Sequence, residues 1–436
     1  MRNLMRGRHV QQNGVSERDR SLANCEPCDS WLDAAPTRRN KMNSRKILGK
    51  VNRVCLFGLA TLLLGPVSPQ TGNSVAVAQT GDPEGKKDHG APITIVEQGS
   101  FLVGGTEVTA PGKFDPTVRR TSDEGQSFPI DQLYVQYQIP QHARRFPLVM
   151  IHGANSTGSV WESTPDGREG YQTIFLRRGF AVYVVDFPRR GKAGFPSFNG
   201  TLGALLDKQI IPNRTNRLSD QGAFIGVRLG PDFLEYFPNT QFPKDGLDQF
   251  FKKLIPGVMD DENVIVDALA ALLERIGPAI LVSHSQSGRF AYLTAIRSPN
   301  VKGIVDYEGA NQPFPVGQAP TPLPAFDGFL VGPGAPVPLE DFLKLTKIPI
   351  QIVVGDNIPS SPQPIPQLET PRIRLIFKKQ FVETVNRYGG DASLLRLPDV
   401  GIYGNTHAPF LDLNNLEVAD LMSEFLHEKD LDDRDH

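Results

Sequence analysis

The residues best suited to chemistry begin at Ser285. The apolar run Ala279-Ile280-Leu281-Val282 leads directly into Ser283-His284-Ser285-Gln286-Ser287-Gly288, and a helical stretch, Arg289 to Ile296, follows. A serine at so sharp a strand-to-helix turn is presented at the carboxyl end of its strand, and the flanking positions must be small for strand and helix to approach. Ser283 and Ser287 meet that size requirement without the backbone freedom of glycine. Ser285 is the candidate nucleophile.

A serine hydroxyl attacks a carbonyl only when a neighbouring base takes its proton. In arrangements of this kind the chain order is serine, acid, histidine. Only His407, His427 and His436 lie downstream. His436 is the last residue. His427 falls in the final turn of a surface helix, where solvent or the helix dipole is its natural partner. His407 in Gly404-Asn405-Thr406-His407, after the last strand pattern, is the candidate base.

The negative oxygen that forms on attack needs backbone N–H groups aimed at it. One is expected from Gln286, directly after the nucleophile, and the other from Ala154 in His152-Gly153-Ala154-Asn155, which follows the apolar run Pro147 to Ile151. His152 reads as a brace for that loop. Asn155, Trp161 and Phe187 are the expected substrate contacts, while the rest of Asp186-Phe187-Pro188-Arg189-Arg190-Gly191 reads as scaffolding. Two acids compete for the third catalytic role. Asp356 in Gly355-Asp356-Asn357 is favoured by position, and Glu308 in Asp306-Tyr307-Glu308-Gly309 is the alternative.

Elements must bring these residues together. Short, nearly continuous apolar runs at Pro147 to Ile151, Ala181 to Val185, Ala279 to Val282, Gly303 to Val305 and Ile348 to Val354 suit strands buried on both faces, as in a parallel sheet covered by helices. A helix is predicted from about Asp260 to Ile276, with Val266, Leu269 and Leu273 on its apolar stripe. A second is predicted where Val418, Leu421, Met422 and Phe425 recur at helical spacing. Gly104-Gly105 between Ile93 to Val103 and Glu107-Val108 predicts a hairpin. Some 75 residues between Val185 and Asp260 exceed what a crossover needs, so a cap insertion is placed at about 192–258. Its Phe195, Phe198, Phe224, Phe233, Phe237 and Phe242 are available for an apolar pocket, although half or more of them are expected to pack as core.

The 436 residues carry 46 basic and 48 acidic side chains, a balance that suggests no nucleic-acid partner. The basic excess lies in residues 1–54, leaving about −9 for the remainder. Residues 1–41 read as an extension outside the fold. From Met42 a cationic stretch, the apolar run Val54 to Leu64 and Ala76-Val77-Ala78 make a signal peptide over 42–78, cleaved before Gln79. The run is too short for a membrane anchor. A linker (79–91), a catalytic domain (92–430) and a tail (431–436) complete the expected organisation. Cysteine occurs only at 25, 28 and 55, so the exported part offers neither disulfide nor thiolate metal site. No cofactor and no metal are expected.

Longer stretches carry a resemblance. Glu97-Gln98-Gly99-Ser100-Phe101, Gly112-Lys113-Phe114-Asp115-Pro116, Trp161-Glu162-Ser163-Thr164-Pro165-Asp166-Gly167-Arg168, Gly355-Asp356-Asn357-Ile358-Pro359 and Gly404-Asn405-Thr406-His407 stand within a match covering roughly residues 93 to 430. The chain resembles bacterial α/β-hydrolase esterases, a group that includes an Alcaligenes-type esterase and esterases that de-esterify sulfonylurea herbicides. The resemblance implies an α/β-hydrolase fold with a mostly parallel central sheet, a cap insertion and an N-terminal β-hairpin. It also implies a serine carboxylesterase acting on a small-molecule ester, with Ser285, His407 and Glu308 as its triad. It thus reverses the positional preference and leaves Asp356 in reserve. An exported homodimer is implied as well. The Alcaligenes-type member has adjacent cysteines where this chain has Ala154-Asn155, so no redox role carries over. A lactonase, thioesterase or amidase on the same residues, or a silent binding protein of this fold, are the competing expectations.

Overall fold

The apolar runs become strands of one eight-stranded sheet. A computed structural model describes residues 90–117, 123–194, 215–258 and 262–434. The strands are β1 Ile95–Val103, β2 Leu133–Pro140, β3 Leu148–Ile151, β4 Val182–Asp186, β5 Ala279–His284, β6 Val301–Tyr307, β7 Pro349–Val354 and β8 Asp391–Arg396. Across the sheet they lie in the order β1-β2-β4-β3-β5-β6-β7-β8. β2 runs antiparallel to both β1 and β4, and every other pairing is parallel.

Both faces of the central strands are covered, which is why their sequences are apolar without alternation. On one face Val149, Ile151 and Leu281 pack with Val266, Leu269 and Leu273 of the helix Glu262–Ile276. On the other, Leu148, Met150, Ile280 and Val282 share a cluster with Val418, Met422 and Phe425 of the helix Asn415–Glu428. Each such side chain taken fully out of water contributes about 1.5–3 kcal/mol, which fixes both helices against the sheet. Both predicted helices are present, and the first ends at Gly277 with φ 83°, the left-handed residue that closes many helices.

The N-terminal hairpin forms with its tip elsewhere than Gly104-Gly105. Val103 pairs with Leu133 and Thr106 with Ile130, so Thr106–Thr109 and Ser127–Ile130 prolong the β1–β2 ribbon beyond a bend. Gly105 is needed at that bend: its φ is 82°, and a Cβ there would lie 2.3 Å from the Ile130 carbonyl oxygen. The glycine pair therefore kinks one arm instead of reversing the chain.

The described part of the insertion holds two short helices, Asp220–Gly226 and Leu247–Lys253. Phe224, Phe242 and Phe250 are buried together with Ala223 and Leu229 in a small core of its own, and Phe233 packs against it. Phe195 and Phe198 lie outside the described residues, as do the extension, the signal segment and most of the linker. Among the described residues no helix is long and apolar enough to cross a membrane.

Candidate active site

Ser285 stands at the end of β5 with φ 56°, a left-handed backbone that costs a non-glycine residue roughly 1–3 kcal/mol and marks a turn held by its surroundings. Those surroundings are specific. Its N–H donates to the Tyr307 carbonyl (3.0 Å), and its own carbonyl accepts from Gly288 (3.2 Å) and Ala310 (3.0 Å). The two serines that flank the turn are wholly buried. Ser283 Oγ donates to Asp306 Oδ1 at 2.8 Å; Ser287 Oγ accepts from the His284 N–H at 2.8 Å and lies 3.0 Å from the Ile151 carbonyl oxygen. The hydroxyls thus tie the turn to β6 and β3. Close packing on the far side depends on glycine, because a Cβ on Gly288 would sit 2.7 Å from the Gly309 Cα.

The loop after β8 delivers His407, whose Nε2 lies 2.8 Å from Ser285 Oγ. Three separate holds keep it there. The His407 N–H donates to the Val227 carbonyl of the insertion at 2.9 Å. Asp412, fully buried, accepts from the Thr406 N–H (2.7 Å), the Thr406 hydroxyl (3.0 Å) and the Asn405 amide (3.1 Å). Burial pushes the Asp412 carboxyl up to about 7. The third hold is His284, whose Nε2 lies 3.1 Å from the His407 carbonyl oxygen. Burial, with His407 alongside, pushes its pKa down to about 3, so the ring is neutral and Nε2–H is the donor.

Of the two candidate acids, the structure brings Glu308 to the histidine. Glu308 Oε2 is 3.7 Å from His407 Nδ1, and Oε1 accepts from the Arg228 guanidinium and from the Gly355 N–H at 2.7 Å. Burial by itself would raise the Glu308 pKa; Arg228 and His407 outweigh it and hold the carboxyl well below the usual carboxylate range. Glu308 is itself left-handed, φ 58°, so the strand end is bent to point the carboxylate at the ring. Asp356, the choice from position alone, is otherwise engaged. Its Oδ2 accepts from Gly404 N–H (2.8 Å) and Asn239 (3.0 Å), and its Oδ1 from Asn357 N–H (2.6 Å). It braces the His407 loop against the insertion. The His407 ring has its proton affinity lowered by burial, and Glu308 partly restores it.

The His152-Gly153-Ala154 loop runs against the serine turn: a Cβ on Gly153 would lie 3.2 Å from the Ser285 Cβ. Neither the Ala154 nor the Gln286 N–H donates within the network of described residues, which leaves both for an incoming oxygen. His152 is completely buried; its Nδ1 lies 2.8 Å from the Gly153 carbonyl oxygen, and its Nε2 accepts from the Phe187 N–H at 3.3 Å. Burial, then the Arg190 charge, push it down to about 4, so it is a neutral brace. Asp186 holds the Gly158 N–H (2.7 Å) and the Lys192 N–H (2.8 Å), the scaffolding expected of that segment.

The expected substrate contacts fare differently. Trp161 and Phe187 have no exposed surface at all. Trp161 stacks on Phe410 at 4.1 Å and Phe187 lies 4.2 Å from His152, so both pack behind the site and neither lines it. An aromatic near a catalytic loop has no sequence mark for which way it points. Asn155 is nearly buried and ties the loop to the insertion, its Nδ2 donating to the Ile255 carbonyl at 3.2 Å and its own carbonyl accepting from Ile255 N–H at 3.0 Å. Sequence reasoning passes over three neighbours of the candidate residues, Arg228, His284 and Asp412. His284 adjoins the nucleophile, which is a usable signal; a buried arginine in a loop offers none.

Known proteins share this fold. Residues 148–421 match the model described as the Alpha/beta hydrolase family. A probable secreted lipase, phiG, from a fungal species (strain ATCC 74256) is 29% identical over 318 residues, 66% of this chain and 84% of that protein. The structure described as the atomic resolution structure of a novel bacterial esterase superposes with a TM-score of 0.62 at 33% identity, over 78% of this chain and 98% of the other.

Proposed function

From the premise that this chain belongs to the alpha/beta hydrolase family, with esterase and lipase relatives that support a hydrolase of ester type, we propose that it is a serine carboxylesterase acting through an acyl-enzyme. Ser285 Oγ attacks the ester carbonyl carbon as its proton passes to His407 Nε2. The Ala154 and Gln286 N–H groups receive the tetrahedral oxyanion, and Glu308 supports the imidazolium. Collapse of the intermediate breaks the C–O bond, and the alcohol leaves with the proton from His407. Water, deprotonated by His407, then attacks the acyl-serine, and the acid departs as Ser285 regains its proton.

One observation carries this reading: a left-handed serine at a strand end has its hydroxyl 2.8 Å from an imidazole whose other nitrogen faces a buried carboxylate. The fine specificity in this reading follows the sulfonylurea-type and Alcaligenes-type esterases, on small or aromatic esters. It places the mature chain outside the cytoplasm as a homodimer, supported for export by the secreted relative.

Labelling with a fluorophosphonate tests the mechanism. Wild-type protein takes the label at Ser285 and hydrolyses p-nitrophenyl acetate; Ser285→Ala does neither while melting at the wild-type temperature. Turnover persisting in Ser285→Ala refutes the assignment. Sedimentation of the mature protein checks the dimer.

A further inference from the structure

Beside the serine turn lies a cavity of about 420 Å³ whose wall includes Gln286, Phe329, Thr370 and Arg374. Gln286, the residue that follows the proposed nucleophile, is the point at which this wall meets the serine turn; Ser285 and His407 themselves are not part of the wall. Arg374 comes from the helix Pro366–Arg387, one turn beyond Thr370. Its Nε is buried without an acceptor, and among the described residues its guanidinium has neither a hydrogen-bond nor an ion-pair partner.

The nearby carboxylates are already engaged. Glu262, in the same wall, is gripped by Arg289, with Nη2 to Oε1 at 2.7 Å, and Arg289 also donates to the Ala335 carbonyl at 3.1 Å. Glu308 is held by Arg228 and the Gly355 N–H. Lys378, one turn further along the helix from Arg374 and buried, has Glu308 and Asp306 as its carboxylate neighbours and offers Arg374 no counter-charge. With Glu262 and Arg289 cancelling, the charge left in the cavity wall is that of Arg374, which feels Glu308 only across a distance and shares that carboxylate with Arg228. A sheltered guanidinium without a partner is costly for a fold to retain, and its planar fork matches a carboxylate.

We propose that this cavity is a substrate subsite for a carboxylate carried by the ester, with Arg374 as its recognition residue. The preferred substrate class is then hemiesters, in which one carboxyl is esterified and reaches Ser285 while another remains free. The proposal rests on ester hydrolysis at Ser285 and deepens it.

Equilibrium binding to the full-length Ser285→Ala protein, read by ligand-observed NMR, tests the subsite without turnover. The probes are monoethyl adipate and ethyl hexanoate, of equal acyl length and differing in the free carboxylate. The hemiester is expected to bind about tenfold or more tightly than the neutral ester, the scale of a charge-assisted pair. Adding Arg374→Met brings the ratio to about one, and Arg374→Lys restores part of it. Equal binding of the two probes to Ser285→Ala overturns the proposal before any second substitution is made. So does a preference unchanged by Arg374→Met in a protein with a cooperative melt. Failure of the esterase reading shows separately, as absence of fluorophosphonate labelling in the wild type, whichever way the binding falls.

Discussion

Glu308 Oε2 stands 3.7 Å from Nδ1 of His407, on the side of the ring away from the 2.8 Å contact between Nε2 and Ser285. The other carboxylate oxygen is bound by Arg228, which reaches in from the insertion and also donates from Nε to the Asp356 carbonyl at 2.9 Å. The insertion is therefore part of the proposed catalytic arrangement: it supplies the cation beside the acid and the Val227 carbonyl that holds the histidine loop.

That division between the two acids predicts different phenotypes. Glu308→Gln is expected to lower kcat by about 10²–10⁴ with little change in KM, because only the charged transition state needs the carboxylate. Asp356→Asn is expected to cost about 1–3 kcal/mol of stability through its hydrogen bonds to the loop, with a smaller loss of kcat. Steady-state kinetics and thermal melts on both variants check this. A deeper kcat loss in Asp356→Asn than in Glu308→Gln would reverse the roles.

Arg228 compensates a charge that burial alone would neutralise. Arg228→Met leaves Glu308 buried without its cation, at a cost of about 3–5 kcal/mol. In the wild type the depressed Glu308 pKa contributes stability that is present above the unfolded carboxylate value and lost as pH falls through the folded one. In Arg228→Met the folded pKa rises, so the acid-side loss begins at higher pH. Melting temperature against pH, measured for both proteins, reads out the difference.

In the proposed mechanism His407 must be neutral to accept the serine proton. Burial lowers its pKa below the ordinary imidazole value of 6.5, so kcat/KM is expected to rise with pH through a midpoint below that value. Glu308 opposes the lowering, so Glu308→Gln is expected to move the acidic limb further down. A limb that moves up, or does not move, contradicts the assignment of Glu308 to His407.

Ser287 takes a position where glycine is usual, and its hydroxyl accepts the His284 N–H while lying 3.0 Å from the Ile151 carbonyl oxygen. Ser287→Ala is expected to lose about 1–3 kcal/mol through unsatisfied buried groups and to lower kcat as the turn loosens. Ser287→Thr, which keeps the hydroxyl, tests whether the bond or the volume matters. Equal stability of wild type and Ser287→Ala would remove the tie between the turn and β3.

What is local in this protein is legible from its residues in order. The strand, turn and helix around Ser285 follow from an apolar run, small flanking residues and a helical stretch. The two helices docked on the sheet follow from 3.6-residue periodicity, and both-face burial of the strands follows from their unbroken apolar runs. Even so, two adjacent glycines at 104 and 105 predict a reversal at a place where the chain only bends, because which strand supplies the pairing edge is a distant fact.

The choices left to the tertiary structure are those between residues of equal chemical aptitude. Asp356 and Glu308 both follow strands of the same sheet, and only the folded arrangement turns one carboxylate toward His407 and gives the other three N–H donors. Trp161 and Phe187 have the composition of a binding site and the burial of a core. Arg228, 80 residues before Glu308, has no sequence mark at all. Periodicity encodes which side of an element is apolar over a few turns; the partner of a buried charge is set by packing between segments far apart in the chain, where no local pattern reaches.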